Sequence, residues 1–383
     1  MPTYNGRLNA SDIFAGLFNM IISQEILGDN IAYTKETLAN MSRVEGGMFG
    51  DSKLFYSSDV LKSFEWMKDD EAQNLLKLHR PYPPQCQSVT INEFRIIPIT
   101  VDQYLSKRAF STEGAFYQIN SQLLSWIRDT KRVYDSTLFN SFIGTHKAGL
   151  SDTGIGAKQN RNIPLPAEPD SVGDYNTEAY NRLVAQTIAQ YMADLIVDLE
   201  DVTRDYNDFG NLRSYDTGSL VFVWNSAWVN KIKKLDTPTI FNKDDLMDQF
   251  AKHTLPPRFF GNVNASSGTT GGTNITTRSL IEKDYNNVEP NAPGYDRSKH
   301  VFPGDLLPSN TPYDANTTYD EDPSIVAKVY HKRSVPFMTG FETGTEFFNP
   351  RSLSETHFLV WSYNSLEHLS NYPFITLKAV PAA

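Results

Sequence analysis

One uninterrupted helical pattern dominates the chain, from Ser111 to Gly144. Its apolar residues recur at a spacing close to 3.6, the period of an α-helix. They are Phe116, Ile119, Leu123, Ile127, Tyr134, Leu138 and Phe142. Ser111 or Thr112 can serve as the N-cap, and Gly144 fits a C-terminal stop. About 30 residues at about 1.5 Å each span roughly 45 Å, so we predict that this helix is the spine of the fold.

The chain before this helix divides into two parts. Residues 1–50 have the pattern of an N-terminal arm with an amphipathic segment near its start. Residues 51–104 hold two extended runs, Leu54–Trp66 and Ser88–Tyr104, around a charged, proline-rich tip. Pro98 cannot donate to a ladder, which favours an edge strand. A lone hairpin of this length is marginal in water, so we expect it to lie on another surface.

The chain after the spine alternates between strands and helices. Residues 145–175 are loop-rich, with one short strand predicted at Asn162–Leu165. A second helix is predicted over 176–207, followed by a buried strand at Ser219–Trp224 and a helix at Asn225–Leu235. The second helix has an apolar face made of Tyr180, Val184, Ile188, Tyr191, Leu195, Leu199 and Val202. This alternation favours a compact α/β lobe.

The last third is mostly irregular before it returns to strands. A strand at Thr239–Phe241 and a helix at Lys243–His253 are predicted first. Residues 261–320 are rich in Gly, Ser, Asn and Pro, and we predict a long loop there. The closing strands are predicted at Ile325–Tyr330, Phe337–Phe347, His357–Tyr363 and Phe374–Lys378.

The composition of the chain argues against some classes of function. The chain has 383 residues, a formal net charge of −10 and 40% hydrophobic residues. That charge, with no long basic run, argues against tight nucleic-acid binding as the main role. The single cysteine, Cys86, cannot form a disulfide within the chain. No apolar run reaches the 18 or so residues of a membrane helix, so no membrane partner is expected.

No motif in the sequence announces a reaction. Gly154 and Gly156 lack the rest of a phosphate-binding loop, and the seven histidines do not pair at metal-binding spacings. The acidic group near Asp320 lacks EF-hand spacing, and the charges around Glu65 favour an interaction surface. Core packing is the expected role of the aromatic set Trp224, Trp228, Trp361, Tyr363 and Tyr372. We therefore predict no catalytic, cofactor-binding or metal-binding residues, and no enzymatic activity.

The order of these parts resembles the Hong Kong 97-like fold of tailed-bacteriophage major capsid proteins. QSVTINEFRIIPITVDQYLSKRAF (87–110) is similar to the strand that returns from the family's E-loop into the spine helix. IVAKVYHKRSVPFMTGFETG (325–344) resembles a late strand that ends in a His-Lys pair. The resemblance implies an α+β fold, and it extends over nearly the whole chain apart from the long loop 261–320.

The resemblance also implies a domain division. Residues 1–50 would be the N-terminal arm, 51–104 the E-loop and 105–175 the P-domain with its spine helix. Residues 176–330 would form the A-domain, with an inserted loop at 261–320, and 331–383 would supply the return strands of the P-domain.

The implied function is a structural shell protein of the class Caudoviricetes. It would self-assemble into hexamers and pentamers through the N-terminal arm and E-loop, and form an icosahedral head around the phage genome. Portal and scaffolding proteins, decoration or head-fibre proteins and weak, nonspecific contact with double-stranded DNA are the expected partners. The protein would be assembled in the host bacterial cytoplasm and reside in the virion capsid.

Three alternatives remain open from the sequence. An encapsulin-like nanocompartment shell shares the same fold and would enclose enzyme cargo. A glycan-active enzyme would use the aromatic and acidic loops, and another virion or tail protein would form rings or fibres.

Overall fold

The computed structural model describes most of the chain, namely residues 38–63, 78, 80–102, 113–148, 158–167, 177–233, 253–265 and 317–381. The helices in these ranges are α1 (Leu38–Met41), α2 (Glu113–Thr145), α3 (Thr177–Glu200) and α4 (Ser226–Lys233). The strands are β1 (Arg43–Glu45), β2 (Ser52–Ser57), β3 (Gln85–Asp102), β4 (Asn160–Pro164), β5 (Leu220–Asn225), β6 (His253–Leu255), β7 (Gly261–Ala265), β8 (Thr317–Glu321), β9 (Ile325–His331), β10 (Phe337–Asn349), β11 (Ser354–Asn364) and β12 (Phe374–Val380).

Most of the strands form two five-stranded sheets. The first sheet has the order β1-β10-β11-β3-β2, and the second has the order β4-β12-β9-β5-β6. In the first sheet only the β1–β10 pair is parallel. Strands β7 and β8 form a separate antiparallel ladder. The chain therefore has a mixed α+β architecture, as the sequence predicts.

The C-terminal half of α2 is buried between the two sheets. From Val133 to Gly144 every residue except Asn140 is buried. Residues of both sheets share one apolar cluster with this part of the helix: Phe337, Trp361 and Tyr363 from the first sheet, and Val221, Val223, Ile325, Tyr330 and Phe374 from the second. This part of α2 therefore contacts both sheets at once.

The second sheet is buried on both faces. Along β5, Val221 and Val223 belong to the cluster around α2, while Phe222 and Trp224 belong to a cluster with α3. Successive side chains of a strand point to opposite faces, so a strand covered on both sides has an uninterrupted apolar run. The predicted buried strand at Ser219–Trp224 is thus confirmed, one residue later in the chain.

The spine prediction is confirmed, but its proposed stop is wrong. The helix runs from Glu113 to Thr145, so Gly144 lies within its last turn. A Cβ added to Gly144 would lie 1.9 Å from the carbonyl oxygen of Phe259. The missing side chain lets the backbone of the Pro257–Phe259 turn pack directly against the helix.

The second helix and the two-stranded segment of residues 51–104, called the excursion below, also differ from their predictions. The helix α3 ends at Glu200 rather than 207, and Val202 is exposed, because the chain turns there and Thr203 bridges to Arg213. Strand β2 ends at Ser57, well short of Trp66, because polar contacts described below turn the chain.

Three predictions for residues 239–320 have different outcomes. His253 begins a strand that runs parallel to β5, so the helix predicted to end there is wrong at that residue. The predicted loop 261–320 is wrong at both ends, because the residues there form the β7–β8 ladder. The strand at Thr239–Phe241 lies outside the described residues.

The remaining strand predictions are confirmed with small shifts at their ends. Strand β4 begins two residues before the predicted Asn162. Between Asn92 and Asp102 the only described strand paired with β3 is β11, so Pro98 lies on an edge strand as predicted. Among the described helices, none has the length and apolar character needed to cross a membrane.

The close contact at Gly144 yields a stability prediction. In Gly144→Ala the new methyl group clashes with backbone, which cannot rotate away, so we expect a loss of about 1–3 kcal/mol in the free energy of unfolding. Urea denaturation followed by circular dichroism measures it. Gly344→Ala is the matched control, because nothing lies within 4 Å of the position that its new methyl group would take. Equal unfolding midpoints for the two variants would contradict the assigned packing.

Candidate assembly surface

The outer face of the first sheet is apolar and exposed to solvent. Phe49, Phe94, Ile96 and Phe341 lie on this side and are between 40% and 52% exposed. The ring of Phe94 contacts Phe49 at 5.9 Å and Phe341 at 5.7 Å between centroids. We call these four residues the aromatic face. A contiguous apolar group of this kind is typical of an interaction surface.

A β-bulge in β3 brings the apolar residues of that strand to one face. Phe94 lies opposite Ser362, and Ile91 lies opposite Asn364, with a register shift between them. Because Ser362 and Asn364 are two residues apart, Ile91 and Phe94 point to the same side of the sheet. The bulge therefore continues a buried cluster, which contains Ile91, into the exposed aromatic face.

The opposite face of the same sheet is fixed on α2 by aromatic and charged groups. The hydroxyl groups of Tyr134 and Tyr363 form a short hydrogen bond, and the guanidinium of Arg95 lies 5.4 Å from the ring centre of Tyr134. Burial raises the pKa of the Tyr363 hydroxyl, so it stays neutral. This face therefore packs on the helix, while the aromatic face stays exposed among the described residues.

A charged network attaches the first described strand to the spine. Arg43 on β1 donates to the Asp135 carboxylate at 3.0 Å, and Lys131 lies 3.7 Å from the same oxygen. Lys131 also pairs with Glu342 on β10 at 2.7 Å. Burial raises the pKa of the Asp135 carboxyl, and the two cations oppose that shift. Strand β1 is thus held to the sheet edge and to α2 together.

The base of the excursion is fixed by polar contacts to the loop after α3. The Asp59 carboxylate accepts from the Leu212 backbone N–H at 2.9 Å and from Arg204 at 2.7 Å. The bond from Leu212 has the largest effect, and together these bonds lower the pKa of Asp59 to about 2. Because the folded pKa is below the ordinary value, the contact persists at neutral pH and is lost as the pH falls through about 2.

Beyond this base, the excursion exposes further apolar side chains. Leu54 and Tyr56 on β2 are exposed, as are Val60, Leu61 and Tyr82. Nothing in the described chain covers them. The prediction that this excursion needs another surface therefore stands as a prediction, supported by these side chains.

The aromatic residues singled out in the sequence are core residues, as predicted. Trp224, Trp228, Trp361 and Tyr363 are buried, and Tyr372 is half-buried. Its ring stacks on His331, the last residue of β9 and the first of the His-Lys pair, at 4.5 Å.

Among the charged candidates, Asp322 lies within the described residues and is held in an ion pair. Asp322 pairs with Lys378 at 2.7 Å, and its pKa is lowered to about 2 because this pair and Ser324 outweigh its burial. Gly154, Gly156 and Glu65 lie outside the described residues. Cys86 is exposed on β3, opposite Tyr56.

The aromatic face itself was not singled out from the sequence. Its residues come from three separated segments, before β2, in β3 and in β10. The one local signal was the change of phase in SVTINEFRII, where apolar positions shift from Val89 and Ile91 to Phe94 and Ile96. That shift is the signature of the bulge.

Comparison with solved structures identifies the fold. One similar chain belongs to the capsid structure of Staphylococcus phage Andhra, with a TM-score of 0.59 and 12% identity, over 100% of this chain and 88% of that one. Another belongs to the structure of the head fibre and inner core protein of bacteriophage P68, with a TM-score of 0.58 and 13% identity, over 98% of this chain and 88% of that one. No protein-family model and no curated protein sequence matches the chain. The chain therefore has an α+β fold found in phage capsid particles.

The contacts at Asp59 predict how firmly the excursion is held. In Asp59→Ala the bonds from the Leu212 N–H and from Arg204 to this carboxylate are lost, so we expect limited trypsin digestion at the exposed Lys62 to become several-fold faster. Asp194→Ala, an exposed carboxylate on α3, is the matched control. Cleavage rates equal to the control would show that the excursion is fixed by other contacts.

Proposed function

We propose that this chain is the major capsid protein of a tailed phage, a structural protein that forms the shell of the head. The observation that carries the proposal is the similarity in fold to a chain of the Andhra capsid over the full length of this one. A role in the shell is structural, and it requires no catalytic group.

The exposed surfaces support self-association. The aromatic face and the apolar side chains of the excursion are both unpartnered in the described chain. Burying one Phe side chain is worth about 1.5–3 kcal/mol, so repeated contacts between copies supply a large driving force. Closed symmetric assemblies bury such surfaces on every subunit.

The domain division forms part of the proposal. Residues 1–50 act as the N-terminal arm, 51–104 as the E-loop, and 105–175 with 331–383 as the P-domain. Residues 176–330 act as the A-domain. The anchored base of the excursion and the attachment of β1 to the spine support this division, since both position segments that would reach neighbouring subunits.

The assembly and its partners follow from the same proposal. Copies form hexamers and pentamers of an icosahedral head in the host bacterial cytoplasm. A portal, a scaffolding protein and decoration or head-fibre proteins join them. The net charge of −10 suits weak and nonspecific contact with packaged DNA.

Negative-stain electron microscopy of the purified chain, with light scattering for mass, tests the proposal. Closed shells, or rings of five and six copies, are the expected result, with coexpression of a scaffold if the chain alone stays monomeric. Shells loaded with an enzyme rather than DNA in the native source would identify a nanocompartment. A stable monomer that fails to assemble with scaffold would overturn the proposal.

The aromatic face predicts a specific assembly defect. We expect the double variant Phe94→Ser, Phe341→Ser to raise the concentration needed for assembly at least tenfold, because two apolar contacts per copy are weakened. Sedimentation of assembled particles measures this concentration. Val197→Ser removes an exposed apolar side chain from α3 and is the control. Unchanged assembly in the double variant would show that this face stays outside the interfaces.

A further inference from the structure

The end of the β10–β11 hairpin brings together an imidazole and two carboxylates. Glu346 lies directly opposite His357 in the antiparallel ladder. Glu355 lies two residues before His357 on the same strand, so its side chain points to the same face. The register is continuous from Glu342 to Asn349, which fixes these three positions by backbone hydrogen bonds rather than by a mobile loop. This face is the one opposite the aromatic face.

The three side chains converge closely. One ligand atom from each, an imidazole nitrogen and two carboxylate oxygens, lies within 4.8 Å of the other two. Within the group, Glu355 Oε1 and His357 Nε2 lie 3.7 Å apart. A zinc ion with ligands at about 2.0–2.2 Å brings such atoms to about 3.4 Å from one another, so small side-chain rotations complete the geometry.

The charge and the lone pairs of the group suit a cation. The two carboxylates bring negative charge, and each of the three side chains can donate a lone pair to a divalent ion. Glu355 and His357 are half-buried, which strengthens that interaction compared with a fully solvated site.

One imidazole and two carboxylates bind some metal ions better than others. Calcium takes six to eight oxygen ligands, and magnesium requires near-octahedral oxygen coordination. Imidazole with carboxylates suits a first-row transition ion, and zinc is commonly held by three such ligands with a fourth position open. Zinc therefore fits the three side chains better than either alkaline-earth ion.

We propose that Glu346, Glu355 and His357 bind a Zn²⁺ ion at the end of the β10–β11 hairpin. The site leaves one coordination position open to solvent or to a further ligand. All three ligands come from one chain, so the site does not require a second copy.

Isothermal titration of the unassembled full chain with zinc chloride tests the site. We expect one zinc per chain in the micromolar range, with no displacement by excess calcium or magnesium. Glu346→Gln and His357→Gln should each weaken binding at least tenfold while leaving the circular dichroism spectrum unchanged.

Two matched controls make the result decisive. Glu45→Gln changes an exposed carboxylate on β1, and His331→Gln changes a histidine outside the cluster. Both should bind zinc as the unaltered chain does. Absence of binding, equal binding in the site variants, or an equal loss in the controls would each overturn the site. Because the titration does not depend on particle formation, its failure would leave the shell proposal to be judged by microscopy.

Discussion

The burial of one helix between two sheets is the constraint on which the other parts depend. From Val133 to Gly144, α2 has no solvent-exposed side, so each sheet must present a complementary surface to it. The first sheet does so with Tyr363 and Trp361, and the second with the apolar side chains of β5, β9 and β12. The turn before β7 also packs against the helix, at Gly144. One face of the first sheet packs on this core, and the aromatic face on its other side stays exposed among the described residues.

Because the two faces of the first sheet have different surroundings, an apolar surface can remain exposed without weakening the fold. The aromatic face adds little to the stability of the subunit, because its residues are about half solvated. The same residues have much to gain when they meet another surface. The bulge in β3 needs only a single extra residue to redirect Phe94 and Ile96 to the side that already carries Ile91. The proposed role in a shell needs a subunit that is stable alone and can still bind its neighbours, and the two faces of this sheet suit these two needs.

Local patterns predicted the elements well and their partners poorly. The spine, the second helix and the closing strands follow from periodicity, because their side chains are sorted by burial. The errors lie where a contact distant in sequence decides the outcome. Gly144 has the pattern of a helix stop, but its small size serves contact with Phe259. The end of β2 at Ser57 depends on loop residues more than a hundred positions away, and the aromatic face joins three segments that no local window contains. The cluster at Glu346 was missed for the same reason, since only the strand register places Glu346 opposite His357.

The antiparallel pairing of β7 with β8 has a consequence for how such a chain can evolve. The ladder joins residues 261–265 to 317–321, so whatever sequence connects them leaves the framework and returns to it at adjacent points. The entropic cost of closing a connection grows only slowly, by about 0.6 kcal/mol for each doubling of its length. Insertions, deletions or a grafted foreign peptide between these two strands can therefore be accommodated while the two large sheets keep their register. A lineage could change what this point presents to its surroundings without redesigning the frame that supports it.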